Sequence, residues 1–129
     1  MKWIPILMAL LLLSGCAAQV QKEQSYRQIN MDEAIAMMEA ESDYIILDVR
    51  TPEEFSEKHI PGAINIANET IGSEEIPELP DKDQLILVYC RSGNRSKQAS
   101  EKLVALGYTN IIEFGGINDW PGEVVLVTE

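Results

Sequence analysis

Leu85-Ile86-Leu87-Val88-Tyr89-Cys90-Arg91-Ser92-Gly93-Asn94-Arg95-Ser96 runs from an apolar segment into a polar turn, with one cysteine at the junction. The apolar run predicts a buried strand. Beyond Arg95, Ala99, Leu103, Val104 and Leu106 recur at helical spacing, and Gly107 supplies a C-terminal stop. A strand, a tight loop and a helix start in that order form a cup of backbone N–H groups facing one thiol. Such a cup holds anions, because the first N–H groups of a helix lack internal partners and carry the positive end of its dipole. Arg91 and Arg95 add fixed positive charge. A thiol in that field is expected to ionise more readily, and the thiolate is the reactive form. The plainer reading is an inert cysteine filling the core. A glycine and two arginines beside it argue for function instead.

Outward from this stretch, short strands alternate with short helices. Tyr26-Arg27-Gln28-Ile29 reads as a first strand, and Asn30 with Glu33 forms a capping-box pattern before a helix whose apolar face is Ala34, Ile35, Met37 and Met38. Tyr44-Ile45-Ile46-Leu47 predicts a central parallel strand ending at Asp48. Pro52 opens a short helix through Phe55, with Glu53 and Glu54 in its first turn. Pro61-Gly62 is a turn before a strand over Ala63 to Ile66. The acidic stretch from Asn68 to Leu79 predicts a short helix or irregular cover. Asn110 to Phe114 is another strand, Gly115-Gly116 breaks the chain, and a helical turn follows around Asp119-Trp120. Val124 to Val127 closes the sequence as apolar material. The alternation predicts an α/β fold: a mainly parallel central sheet of about five strands with helices on both faces. Ligands of such sheets bind beyond the C-terminal strand ends, where Cys90 stands.

The 129 residues suffice for one domain, and a hydrophobic fraction of 46% supports a core without disulfides. The formal net charge of -11 excludes nucleic acid as a partner and a surface held on anionic lipid by basic residues. No Cys/His cluster has metal-ligand spacing, so neither metal nor cofactor is implied.

At the N-terminus Lys2 precedes an apolar run from Trp3 to Leu13. Spanning a bilayer takes about 20 apolar residues, so the run is an address rather than a span. Its end, Leu13-Ser14-Gly15-Cys16, resembles the bacterial lipoprotein signal. The resemblance implies a signal peptide over residues 1–15, cleavage before Cys16 and lipid on that residue. A polar tether over residues 16–25 then leads to a domain over residues 26–129. The expected location is the cell envelope, outside the cytoplasm, with the chain held to a membrane through the lipid on Cys16. A lone thiol there is a hazard unless it is used, so the compartment also favours function for Cys90.

Four stretches resemble the single-domain rhodaneses, a sulfurtransferase family: Leu47-Asp48-Val49-Arg50 with Glu53-Glu54-Phe55, His59-Ile60-Pro61-Gly62-Ala63-Ile64-Asn65, the loop from Tyr89 to Ser96, and Gly115-Gly116 with Trp120. The resemblance covers the chain from about Tyr26 to Val127. It implies the rhodanese-like fold and a catalytic Cys90 that takes sulfur from a small anionic donor such as thiosulfate. The sulfur is held as a persulfide and passed to a thiol or a cyanide-like acceptor, a protein among the candidates. The backbone around Arg91, Ser92, Gly93, Asn94, Arg95 and Ser96 would bind the sulfur anion, and Arg91 and Arg95 the anionic leaving portion. Ser96 would either cap the following helix or touch substrate. Asp48 and Arg50 would support the site, and His59 would be structural. Lys58 stands where the family commonly has glycine, so it would be strained if the position required a positive φ.

Two other functions share these residues. Related phosphatases and arsenate reductases have one residue more between cysteine and arginine than the four found here, Arg91 to Asn94. The tighter ring suits sulfur better than a tetrahedral oxyanion. A membrane-tethered persulfide carrier without efficient turnover would use the same loop. Turnover of an aryl phosphate tests the first, and kinetics with small and protein acceptors test the second.

Overall fold

The computed structural model describes residues 25–126. The signal segment, Cys16, most of the tether and Val127 lie outside the described residues. The chain order is β1 (Arg27–Gln28), α1 (Met31–Ala40), β2 (Tyr44–Asp48), α2 (Pro52–Glu57), β3 (Lys58–His59), β4 (Ile64–Asn65), β5 (Leu85–Cys90), α3 (Asn94–Ala105), β6 (Ile111–Gly116) and β7 (Val125–Leu126). Single 3-10 turns occur at Asn68–Thr70 and Ile117–Asp119.

Five strands form one parallel sheet in the order β1-β6-β5-β2-β4, as the alternating pattern predicts. Its centre is β5, so the strand that delivers Cys90 is hydrogen-bonded on both sides. Side chains of a strand alternate between faces. Ile86, Val88 and Cys90 therefore pack with Ala99 and Leu103 of α3, while Leu87 and Tyr89 pack with Ala34 of α1 and Phe114 of β6. Both faces are covered, which explains why β5 reads as an unbroken apolar run. Each fully buried side chain of this size contributes about 1.5–3 kcal/mol through removal from water.

The start of α1 forms the capping box expected from Asn30 and Glu33. A second box, Thr51 with Glu54, opens α2, which runs two residues past Phe55. The stretch from Asn68 to Leu79 is irregular beyond its single 3-10 turn, and it lays Ile71, Ile76 and Leu79 onto the core on the α3 side.

Two expectations are corrected. Gly115 and Gly116 do not end β6 but complete it, and Gly116 stands in register with Cys90 after a shift in the β5–β6 ladder. Lys58 has φ -164, extended backbone open to any residue, so its replacement of glycine carries no strain. In the closing apolar segment Val124 packs against the α1-side core, while β7 pairs antiparallel with β3 and leaves Leu126 63% exposed.

Candidate active site

Cys90 closes β5 with its side chain on the α3 face, beneath the first turn of that helix. Only 1% of the residue is exposed. The loop turns over it through Gly93, whose φ of +116 lies in the left-handed region that favours glycine. That turn directs the Gly93 N–H onto Cys90 Sγ at 2.9 Å. Gly93 is the N-cap of α3 and supplies no side-chain cap, and its own N–H is given to the sulfur.

The close fit of the loop depends on Gly116. A Cβ there would collide with the carbonyl of Arg91 and stand 2.6 Å from Ser92 N. The Asn118 N–H donates to the same Arg91 carbonyl at 3.2 Å. The second glycine of the Gly-Gly pair thus gives the end of β6 room to lie against the loop.

Ser96 does not cap α3. It is the third residue of the helix, fully buried, with its Oγ 2.5 Å from Glu113 Oε2, 3.0 Å from the Gly93 carbonyl and 3.4 Å from Cys90 Sγ. Glu113 is 2% exposed, and it also accepts from the Gly115 N–H at 2.9 Å and from Gln28 Nε2 at 3.3 Å. Sequence reasoning passes over Glu113, although its signal is present: an acid inside the apolar run Ile111-Ile112-Glu113-Phe114 must find polar partners once buried.

The two loop arginines differ. Arg95, on the first turn of α3, is held by Glu54 of α2 through paired bonds of 2.7 and 3.0 Å. This bond holds the Glu54 carboxyl down at about 2, against a smaller upward push from burial, and raises the Arg95 guanidinium. Arg91 is exposed and lines a cleft of about 270 Å³ with Arg50, Glu54, Glu57, Lys58, Ile117 and Asn118. Ser92 and Asn94 are exposed on the rim of the loop. A second cleft, of about 480 Å³, lies against Ser92, Gly93, Lys97 and Glu113. Cys90 lines neither.

Asp48 and Arg50 do not reach the sulfur. They form a buried pair at 2.7 Å, in which Arg50 also donates to the Lys58 carbonyl at 2.6 Å. Tyr89 Oη donates to Asp48 Oδ2 at 2.6 Å and accepts from the Ile60 N–H at 3.1 Å. Burial, then the bond to Asp48, raises the Tyr89 hydroxyl. Burial lowers Arg50, but its bonds to Asp48 and that residue's charge outweigh it, and the guanidinium ends above its ordinary value. The network ties β2 to β5 and to the chain entering β4, so its link to the loop is through the backbone and through Arg50 at the smaller cleft. His59 stacks on Phe55 with centroids 3.8 Å apart, and its Nδ1 lies 2.9 Å from the Phe55 carbonyl, which occupies it structurally. Trp120 packs at the edge of the α1-side core, with Nε1 donating to the Glu123 carbonyl at 2.9 Å.

The rhodanese-like domain model matches residues 30–123. The chain is 40% identical over 73 residues to the thiosulfate sulfurtransferase PspE of Escherichia coli, a match covering 57% of this chain and 70% of that protein. It is 40% identical over 88 residues to the adenylyltransferase and sulfurtransferase UBA4 of Candida albicans, covering 63% of this chain and about a fifth of that longer protein, 20%. Among solved structures, one described as a rhodanese with anions from E. coli superposes with a TM-score of 0.59 at 36% identity, covering 64% of this chain and 98% of the other. With the sheet order, the cysteine-bearing loop and these matches together, the chain belongs to the rhodanese-like family.

Proposed function

We propose that this protein is a sulfurtransferase that moves sulfane sulfur from thiosulfate, or a similar small anion, through a Cys90 persulfide. In the first half-reaction the Cys90 sulfur attacks the donor's outer sulfur. The donor's S–S bond breaks, sulfite leaves with the bonding pair, and the thiol proton passes to sulfite or solvent. In the second, a nucleophilic acceptor, cyanide or a thiol, attacks the outer sulfur of the persulfide and Cys90 leaves as the thiolate. No external oxidant is needed. The observation that carries this reading is the Gly93 N–H set 2.9 Å from Cys90 Sγ at the start of α3, where anionic sulfur finds a donor and the positive end of a helix. Arg91, exposed at the loop, is suited to draw in the anionic donor within an otherwise acidic chain. Relatives named thiosulfate sulfurtransferase support the same chemistry.

The test is a mass spectrum of thiosulfate-treated protein. The Cys90 peptide should gain one sulfur atom, and Cys90→Ser should gain none while unfolding normally. An unmodified wild-type peptide, with turnover of an aryl phosphate in its place, would move the assignment to phosphoryl transfer. Acceptor kinetics separate an enzyme with free turnover, efficient with cyanide, from a carrier that discharges only to a partner protein.

The proposed location is the cell envelope, with lipid on Cys16 after removal of residues 1–15. The Leu13-Ser14-Gly15-Cys16 pattern supports it. Labelled fatty acid should be incorporated by the wild type and lost in Cys16→Ser; equal labelling of both would refute the anchor.

A further inference from the structure

We propose that Glu113 is a positioning residue that decides, through the single proton of Ser96, whether Cys90 keeps its own proton. The proposal rests on Cys90 being the reactive sulfur and adds to that reading a control on its reactivity.

Ser96 has one hydroxyl proton and several neighbours competing for it. Glu113 Oε2 at 2.5 Å is closer than the Gly93 carbonyl at 3.0 Å, the Gly115 carbonyl at 3.4 Å or Cys90 Sγ at 3.4 Å. A charge-assisted O–H···O⁻ bond of that length is the strongest on offer, so the ionised carboxylate takes the proton. Ser96 is then left with lone pairs toward the sulfur. The 3.4 Å contact then closes only if Cys90 S–H donates to it. An ionised sulfur at the same place would face an oxygen lone pair and, behind it, a buried carboxylate.

A proton on Glu113 reverses the chain. The acid O–H then donates to Ser96, Ser96 turns its proton to sulfur, and the thiolate gains a second donor beside the Gly93 N–H. Internal transfer achieves the same state: the Cys90 S–H bond breaks as Ser96 gains a proton, and Ser96 passes its own to Glu113 Oε2. Two protons each shift by one bond, the net transfer is one proton from Cys90 to Glu113, and no electrons are exchanged. Thiolate and protonated Glu113 therefore favour each other through the Ser96 hydroxyl.

Other charges bear on both ends. The sulfur also feels Arg95 of α3, itself tied to Glu54, and stands next in sequence to Arg91. Glu113 feels Tyr26 ahead of β1, and it shares the larger cleft with Glu33 of α1, Lys97 of α3 and Asp119 beyond β6. That cleft gives the carboxyl a route to exchange its proton with water. A purely structural glutamate, present only to satisfy the Gly115 N–H, would have no such effect on the cysteine.

The experiment measures iodoacetamide alkylation of Cys90 against pH, read on the Cys90 peptide of the full chain, in the wild type, Glu113→Gln, Ser96→Ala and the double variant. In Glu113→Gln a neutral amide replaces the carboxylate and can still accept from the Gly115 N–H, but it competes less strongly for the single Ser96 proton, which becomes available to sulfur. The neutral-pH rate should rise about fivefold, the yield of one charge-assisted bond reduced by the lower nucleophilicity of a better stabilised thiolate, and the profile should move to lower pH. On the Ser96→Ala background the same change should have little effect. An unchanged or slower rate in Glu113→Gln, or an equal gain without Ser96, would overturn the proposal. If Glu113→Gln does not fold, ¹³C-carboxyl NMR of the wild type decides: the Glu113 resonance should carry a step at the Cys90 titration that disappears on alkylation, and a step that survives alkylation refutes the coupling. Alkylation needs no sulfur donor, so a protein inactive with thiosulfate would still answer this question.

Discussion

Glu54 of α2 grips Arg95 of α3 with two near-parallel hydrogen bonds, 2.7 Å to Nη1 and 3.0 Å to Nη2. The arginine expected to bind the donor is therefore already paired, and an incoming anion competes with a carboxylate for it. Arg95→Ala should raise the thiosulfate KM about tenfold, because it removes a cation and leaves Glu54 uncompensated beside the loop. Glu54→Gln should lower KM severalfold by releasing the guanidinium. Steady-state kinetics with cyanide as acceptor check both, and equal KM values in all three proteins would remove Arg95 from donor binding.

The same pair predicts a pH effect on stability. The folded-state Glu54 carboxyl is lowered from 4.5 to about 2, chiefly by its bond to Arg95. A lowered carboxyl means that the unfolded chain binds the proton first as pH falls. The stabilisation is thus complete above about pH 5 and is lost between there and pH 2. Partial exposure of both side chains keeps it to about 1 kcal/mol or less. Urea unfolding at pH 7 and pH 3 should show a larger acid loss for the wild type than for Glu54→Gln.

Gly116→Ala tests the seating of the loop. The new methyl group would press into the Arg91 carbonyl and the Ser92 amide, both backbone groups that cannot rotate away. The expected result is a loss of at least about 1–3 kcal/mol, as for other overpacked sites, with sulfur transfer reduced more than stability. Thermal melts and persulfide yield, measured together, check this; wild-type yield would show that the loop tolerates displacement.

Tyr89→Phe removes one hydroxyl from a site where it both donates to Asp48 and accepts from Ile60. It should cost about 1–3 kcal/mol, since a buried carboxylate and an N–H lose a partner. Tyr89 faces α1 whereas Cys90 faces α3, so persulfide formation by the folded variant should remain near wild type. A variant stable yet inactive would place the network in the chemistry instead.

Asp48→Ala should be more damaging, about 3–5 kcal/mol, because it strands the buried Arg50 guanidinium. Denaturant midpoints read the loss directly.

What the chain alone determined was set by local patterns with short-range causes. Apolar runs at Tyr44–Leu47 and Leu85–Tyr89 marked strands covered on both faces, the Asn30 capping box started α1, and a cysteine between a strand and a Gly-Arg stretch marked the loop that turns back over it. Only the tertiary structure decided which groups meet. Glu113 reaches Ser96 because β6 lies beside β5 and strand alternation points that carboxylate toward α3. Glu54 reaches Arg95 across 41 residues of sequence. Gly116 proves to be a clearance for the loop, and β7 finds β3, through packing of segments distant along the chain. Spacing along a sequence encodes the period of a strand or helix, but the partner of a buried charge is chosen by which elements become neighbours on folding.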